Sequence, residues 1–299
     1  MTTERAHIDF PSRIGVWWAS DSWAMPDAQA VARDIEAMGY GSLFLPETVG
    51  KECLTESAAF LAATDRLVVG TGIANIHVCI PSAAEVGART LTALYPGRFV
   101  LGLGVSHGPL VEHGMGGTYQ KPLATMRSYL ERMAAVPEMI EPGSRAPKLL
   151  AALGPKMIEL SGSLADGAHP YLVLPSATRT TREILGPDKW IVAEQAVVVG
   201  GDDAEQLRRA HDHLNVYSGL PNYRNSWLRQ GFEESDLVRG GSERLARALV
   251  GMGSVDDAAA AVRAHLDAGA DHAVVQVLGD TPVSDPRPSL RTLAAALGL

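Results

Sequence analysis

LVVGTGIANIHVCIPSAAEVGARTLTALYPGRFVLGLGVSHGPLVE, residues Leu67 to Glu112, decides the fold, because it holds a strand, a helix, a second strand and two unusual loops without a break. Leu67 to Gly70 is a continuous apolar run behind Asp65 and Arg66, the pattern of a strand covered on both faces. Pro81 and Ser82 open a helix on which Val86, Thr90, Leu91 and Leu94 recur at helical spacing and are expected on one face. Pro96-Gly97 stops it. From Phe99 to Val105 the period is two: Phe99, Leu101, Leu103 and Val105 point one way, Val100, Gly102 and Gly104 the other. Glycine weakens a strand interior, so two on one face predict that something other than a side chain lies against that face.

This βαβ unit repeats in both directions. Upstream come a strand at Arg13–Trp18, a helix from about Pro26 to Met38, a strand at Ser42–Leu45 closed by Pro46-Glu47, and a helix at Glu56–Ala63. Downstream, Leu123, Met126, Leu130 and Met133 share a helical face, Lys148–Leu153 is a fifth strand, and Gly154-Pro155 starts a helix with proline at its first position. Strands are predicted again at Ala168–Val173, Ile191–Val199 and His272–Leu278, with a helix after Ser176 and a closing helix at Leu290–Leu297. The long helical stretch from Asp203 to about Ala268 exceeds one crossover and carries an insertion at about 221–250. Eight strands alternating with helices require a parallel sheet, either a closed (β/α)8 barrel or a doubly wound open sheet.

Composition narrows the function classes. With 299 residues, 46% of them hydrophobic, one domain spanning 1–299 is expected. The 26 basic and 34 acidic residues give a formal charge of -8, which argues against a nucleic-acid or anionic-membrane partner. Two cysteines, Cys53 and Cys79, are too few for a disulfide scaffold or zinc cluster. With no apolar run of spanning length, a soluble, cytoplasmic protein is expected.

In a barrel, chemistry sits after the strands. There the sequence places Ser20 and Asp21, Glu47, Thr71 to Asn75, Ser106 and His107, Gly154 to Lys156, His169 to Tyr171, Glu194 and Gln195, and Gln276. No HxH follows strand one and no set of His and Asp stands at metal-ligand spacing, so no metal is expected. Gly154-Pro155-Lys156 is the best anion site, a helix N-terminus with a lysine beside it, although an ordinary turn with a solvated lysine fits the same residues. His107 and Glu47 are the proton-transfer candidates. Thr71-Gly72-Ile73 reads as a bulge, and Trp17, Trp18 and Trp23 as a substrate wall or plain packing.

With YPGRFVLGLGVSHG at its centre, the chain resembles the luciferase-like superfamily and, within it, oxidoreductases that use the deazaflavin coenzyme F420. GTGI after strand three, ALYPGRFVLGLG, YQKPLATMRSYL, LGPKMIELSGSLADGAHPYLV and a helical insertion before strand eight follow in the family's order. The resemblance implies a closed barrel, a homodimer, and hydride transfer between C5 of the deazaflavin and a small organic substrate. It also implies a cis peptide at Gly72-Ile73 backing the cofactor, close backbone approach at Gly102 and Gly104 with Ser106 beside them, and phosphate contacts at Leu153-Gly154 and Tyr171, which strengthens the anion site that Lys156 adjoins. Sugar-phosphate dehydrogenases of the family carry Asp-His after strand two and Glu after strand four. Here Pro46-Glu47 and Ser106-His107 exchange the acid and base types, so glucose 6-phosphate is not the expected substrate. FMN, and with it a monooxygenase, is the alternative cofactor reading; a barrel that binds deazaflavin without turnover is the third.

Overall fold

The computed structural model describes residues 7–114, 116–139, 145–281 and 283–299. Its strands are β1 (Ile14–Trp17), β2 (Ser42–Leu45), β3 (Val68–Thr71), β4 (Ala74–Asn75), β5 (Phe99–Gly104), β6 (Lys148–Leu150), β7 (Gly167–Ala168), β8 (Trp190–Val197), β9 (Val250–Gly251) and β10 (His272–Val277). All pairings are parallel, and β10 pairs with both β1 and β8, so the sheet returns on itself. An open sheet would leave two edges; here β1, β2, β3, β5, β6, β7, β8 and β10 close an eight-stranded TIM barrel. The short β4 prolongs the line of β3 along β5, and β9 lies beside β8.

The helices cover the outside: α1 (Met25–Ala37), α2 (Cys53–Ala63), α3 (Pro81–Leu94), α4 (Pro122–Ala134), α5 (Pro155–Leu164), α6 (Pro175–Leu185), α7 (Asp203–Tyr217), α8 (Pro221–Arg229), α9 (Glu243–Leu249), α10 (Val255–Asp267) and α11 (Arg287–Leu297). Proline stands in the first turn of α1, α3, α4, α5, α6, α8 and α11, where its missing N–H costs nothing. None of the described helices is long and apolar enough to cross a membrane.

Strand alternation builds separate cores. Inward residues Trp17, Phe44, Val68, Val100, Leu149, Val192 and Val274 fill the barrel, and Phe10 stacks on His272 at 3.9 Å to plug its N-terminal end. Outward residues such as Leu43, Val69, Leu101, Leu103 and Val275 pack under the helices. A further core, centred on Trp227 with Leu214, Phe232 and Leu249, supports the segment between β8 and β10, and the Trp227 indole donates to the Leu172 carbonyl at 3.0 Å.

The face of α3 is corrected. Ala84, Ala88 and Leu91 are buried, whereas Val86 and Leu94 are 45% and 64% exposed and Thr90 is exposed. Small alanines let the helix sit close to the strands. The same face buries Glu85, which pairs with Arg89 at 2.9 Å and Lys148 at 3.0 Å. A pattern built on the larger apolar residues therefore has the wrong phase.

Candidate active site

At the C-terminal ends of the strands lies a cavity of about 910 Å³, within the range of small-molecule and cofactor sites. Barrel loops form one side; α7 and α8 form the other.

Its floor is a β-bulge. Gly70 pairs with Val100 and Ala74 with Leu103, so four steps of chain run beside three, leaving one extra residue between β3 and β4. The Gly72-Ile73 peptide in this bulge is cis. The Trp17 indole donates to the Gly72 carbonyl at 2.7 Å, and a Cβ at position 72 would stand 2.8 Å from that indole nitrogen and 3.0 Å from His169 Nε2. Glycine is required there by close approach.

Gly102 and Gly104 serve this bulge first. A Cβ at Gly102 would fall 1.9 Å from the Thr71 carbonyl oxygen, and one at Gly104 would fall 2.4 Å from the end of the Ile73 side chain. Gly102 therefore does not line the cavity, which corrects its expected place against the cofactor; Gly104 does, beside Ile73. The bare face of β5 admits a neighbouring loop, and that loop presents Ile73 upward.

Ser106, at a φ of 58°, turns the chain after β5 and brings His107 into the cavity wall. No described residue hydrogen-bonds the His107 imidazole, whose Nδ1 is buried without a partner. Burial holds its pKa below the ordinary histidine value, which favours the neutral ring. Glu47 lines the same wall, but its side-chain oxygens accept from the Asn75 amide at 2.7 Å and the Cys53 amide at 3.4 Å. Glu47, Glu52 and Cys53 each bring a ligand-type atom within 4.8 Å of the others. Glu52, however, caps α2 through the Leu54 and Thr55 amides, and burial pushes the Cys53 thiol up, away from the thiolate that binds metal.

Leu153 and Gly154 line the far end, at the N-terminus of α5, whose N-cap Gly154 supplies no side-chain cap. Lys156 is exposed and does not line the cavity, which corrects its expected contact. The cation there is Arg229 at the end of α8, which donates to the Leu153 carbonyl at 3.1 Å and has no carboxylate partner among the described residues. Arg209, also in the wall, is already paired with Glu205 and with Asp280 at 2.5 Å. No local signal marks Arg229, 75 residues from Gly154 in sequence (229 minus 154).

The remaining wall is aromatic and polar. The Tyr171 hydroxyl donates to Gln276 Oε1 at 2.7 Å and lies 3.0 Å from the Tyr217 hydroxyl and 3.3 Å from His213 Nε2. It is thus engaged by α7 and β10. The Tyr223 ring packs 4.8 Å from Tyr217 and 5.7 Å from His107, joining the insertion to the proton candidate. Sequence reading found Tyr171 but missed His213, Tyr217 and Tyr223, which are contributed by helices rather than strand ends. Beneath them Glu194 accepts from the Leu172 amide at 3.1 Å, and burial raises its pKa to about 8. Trp17 and Trp18 line the cavity; Trp23 packs edge-on against Trp18 outside it.

Comparison with known proteins agrees with this architecture. The Mycobacterium tuberculosis protein Rv3520c, named as a coenzyme F420-dependent oxidoreductase, is 25% identical over 300 residues, covering 82% of this chain and 86% of its own. An F420-dependent secondary alcohol dehydrogenase, solved with an F420-acetone adduct, superposes with a TM-score of 0.75 at 14% identity over 99% of both chains. The oxygenating constituent of 3,6-diketocamphane monooxygenase from Pseudomonas putida, solved with FMN, gives 0.66 at 14% identity over 94% of this chain and 95% of its own. At such identities the two structures establish the fold alone. The sequence profile of the luciferase-like monooxygenase family matches residues 6–276, and the chain is a member of that family and an oxidoreductase.

Proposed function

We propose that the protein is an F420-dependent oxidoreductase that moves a hydride between the bound deazaflavin and a small organic substrate. The observation that carries this reading is a single cavity joining a neutral, unpartnered imidazole at His107 to a cationic end at Arg229 and the α5 N-terminus. A flat redox ring carrying a phosphate matches that division: Ile73 and Gly104 offer an apolar floor, and Arg229 with the Leu153-Gly154 backbone holds the anion. When bound, the deazaflavin supplies the carbon that gives or takes hydride.

The chain's own residues then handle the proton. In alcohol oxidation the C–H electron pair leaves as hydride and the hydroxyl proton passes to His107; in carbonyl reduction His107 returns it. The Trp17 and Trp18 walls exclude water from the reacting end. F420 is favoured over FMN by the named role of Rv3520c, whose likeness spans most of both chains.

A side-by-side titration with F420, FMN and NADPH tests the cofactor. The expected order has F420 at least about tenfold tighter than either other, a difference of about 1.4 kcal/mol. Tighter binding of FMN would move the assignment to a flavin monooxygenase.

A further inference from the structure

Glu47 stands in the cavity wall directly after β2, and its residue type invites a proton-transfer role. Its hydrogen bonds describe a different task. The Glu47 amide donates to the Ile73 carbonyl at 3.1 Å, and one side-chain oxygen accepts from the Asn75 amide at 2.7 Å. These two bonds grip both ends of the three-residue segment Ile73–Asn75, which runs from the bulge through β4. The other oxygen accepts from the Cys53 amide at 3.4 Å, joining the grip to the first residue of α2. Held in this way, Ile73 lays its side chain over Gly104 and forms the cavity floor.

Glu47 is only 7% exposed, so these acceptors are not easily replaced by water. His107, by contrast, lines the same cavity with an imidazole that bonds to no described residue. One group is committed to backbone and the other is free.

We infer that Glu47 is a positioning residue that clamps the Ile73–Asn75 segment, and that the proton role belongs to His107. The inference rests on the proposed function only in taking this floor to face the redox ring. Its structural part is independent of which cofactor binds.

Two variants decide it. Glu47→Gln keeps an oxygen for the Asn75 amide while removing the titratable proton. The clamp predicts kcat within about threefold of wild type and an unchanged pH–rate profile. Glu47→Ala removes both acceptors; the Asn75 amide should then exchange with deuterium at least about tenfold faster in ligand-free protein, and the Kd for F420 should rise by a similar factor. A Glu47→Gln enzyme slowed by about 10² or more, with Asn75 protection and F420 affinity unchanged, would overturn the inference and restore proton transfer. So would an alanine variant in which Asn75 exchanges as in wild type. Should the alanine variant not fold, the glutamine variant's kcat and pH profile decide alone. If wild-type protein binds no F420, the proposed cofactor fails while Asn75 exchange still reports on the clamp.

Discussion

The two sides of the cavity are built by different means. On the barrel side, Trp17 ends β1 and Glu47, Ile73 and His107 follow β2, β3 and β5, and each is placed by a parallel strand with neighbours on both edges. On the other side, His213, Tyr217, Tyr223 and Arg229 come from α7 and α8, which rest on a separate core around Trp227. The first side carries an unpartnered base. The second carries the Tyr217 hydroxyl, bonded across to Tyr171 after β7, and a guanidinium bonded only to a carbonyl among the described residues. Under the proposed function, the difference amounts to a division of labour: chemistry on the strand ends, and ligand capture on a helical segment with a core of its own.

The largest test of that division is His107→Ala. Turnover should fall by about 10² or more while the Kd for F420 changes less than about threefold, read from steady-state rates and a binding titration. Loss of affinity with turnover retained would place His107 on the capture side instead. Arg229→Ala should do the converse, raising the F420 Kd by roughly tenfold or more, as expected for one lost charge-assisted hydrogen bond of about 1.5–3 kcal/mol, with kcat little altered. The exposed Lys156 should matter least, and Lys156→Ala should leave affinity within about twofold.

Stability against pH sharpens the comparison, since both sides bury neutral groups. His169 just after β7 and His213 on α7 have pKa values lowered to about 4 by burial. Because the folded value lies below the unfolded one, their contribution is present at neutral pH and is lost as pH falls from about 6.5 toward 4. Each is on the order of 3 kcal/mol. Glu194 has the opposite sign: with a folded value raised to about 8, its contribution is complete below the unfolded carboxyl pKa and is lost as pH rises through about 8. Thermal denaturation should therefore show a maximum of stability near pH 6 to 7, and Glu194→Gln should flatten the alkaline limb while steepening the acid one. A variant that flattened the acid limb would contradict the assignment.

The sequence made the barrel side legible because strand physics is local. Period-two alternation, Pro-Gly punctuation and prolines at helix starts locate β2 to the residue and most other elements to within a few residues. The bare face at Gly102 and Gly104 predicts a guest other than a side chain; that holds at Gly102, which meets the Thr71 carbonyl, and fails at Gly104, which the Ile73 side chain covers. The α3 face failed for a related reason: alanine packs closer than valine, and Glu85 is buried only because Arg89 and Lys148 meet it. The capture side was the least legible. Lys156 sat beside the right turn yet points to solvent, while Arg229 reaches the same turn from another helix, a contact that no local spacing encodes.

Direct transfer of hydrogen to the cofactor tests the central claim most sharply. The protein would be given oxidised F420 and a panel of secondary alcohols deuterated at the carbinol carbon, and the recovered cofactor examined by mass spectrometry. The account predicts that F420 carries the deuterium and that His107→Ala slows its appearance by about 10² or more. Turnover that instead requires FMN and molecular oxygen, with no deuterium in the deazaflavin, would contradict it.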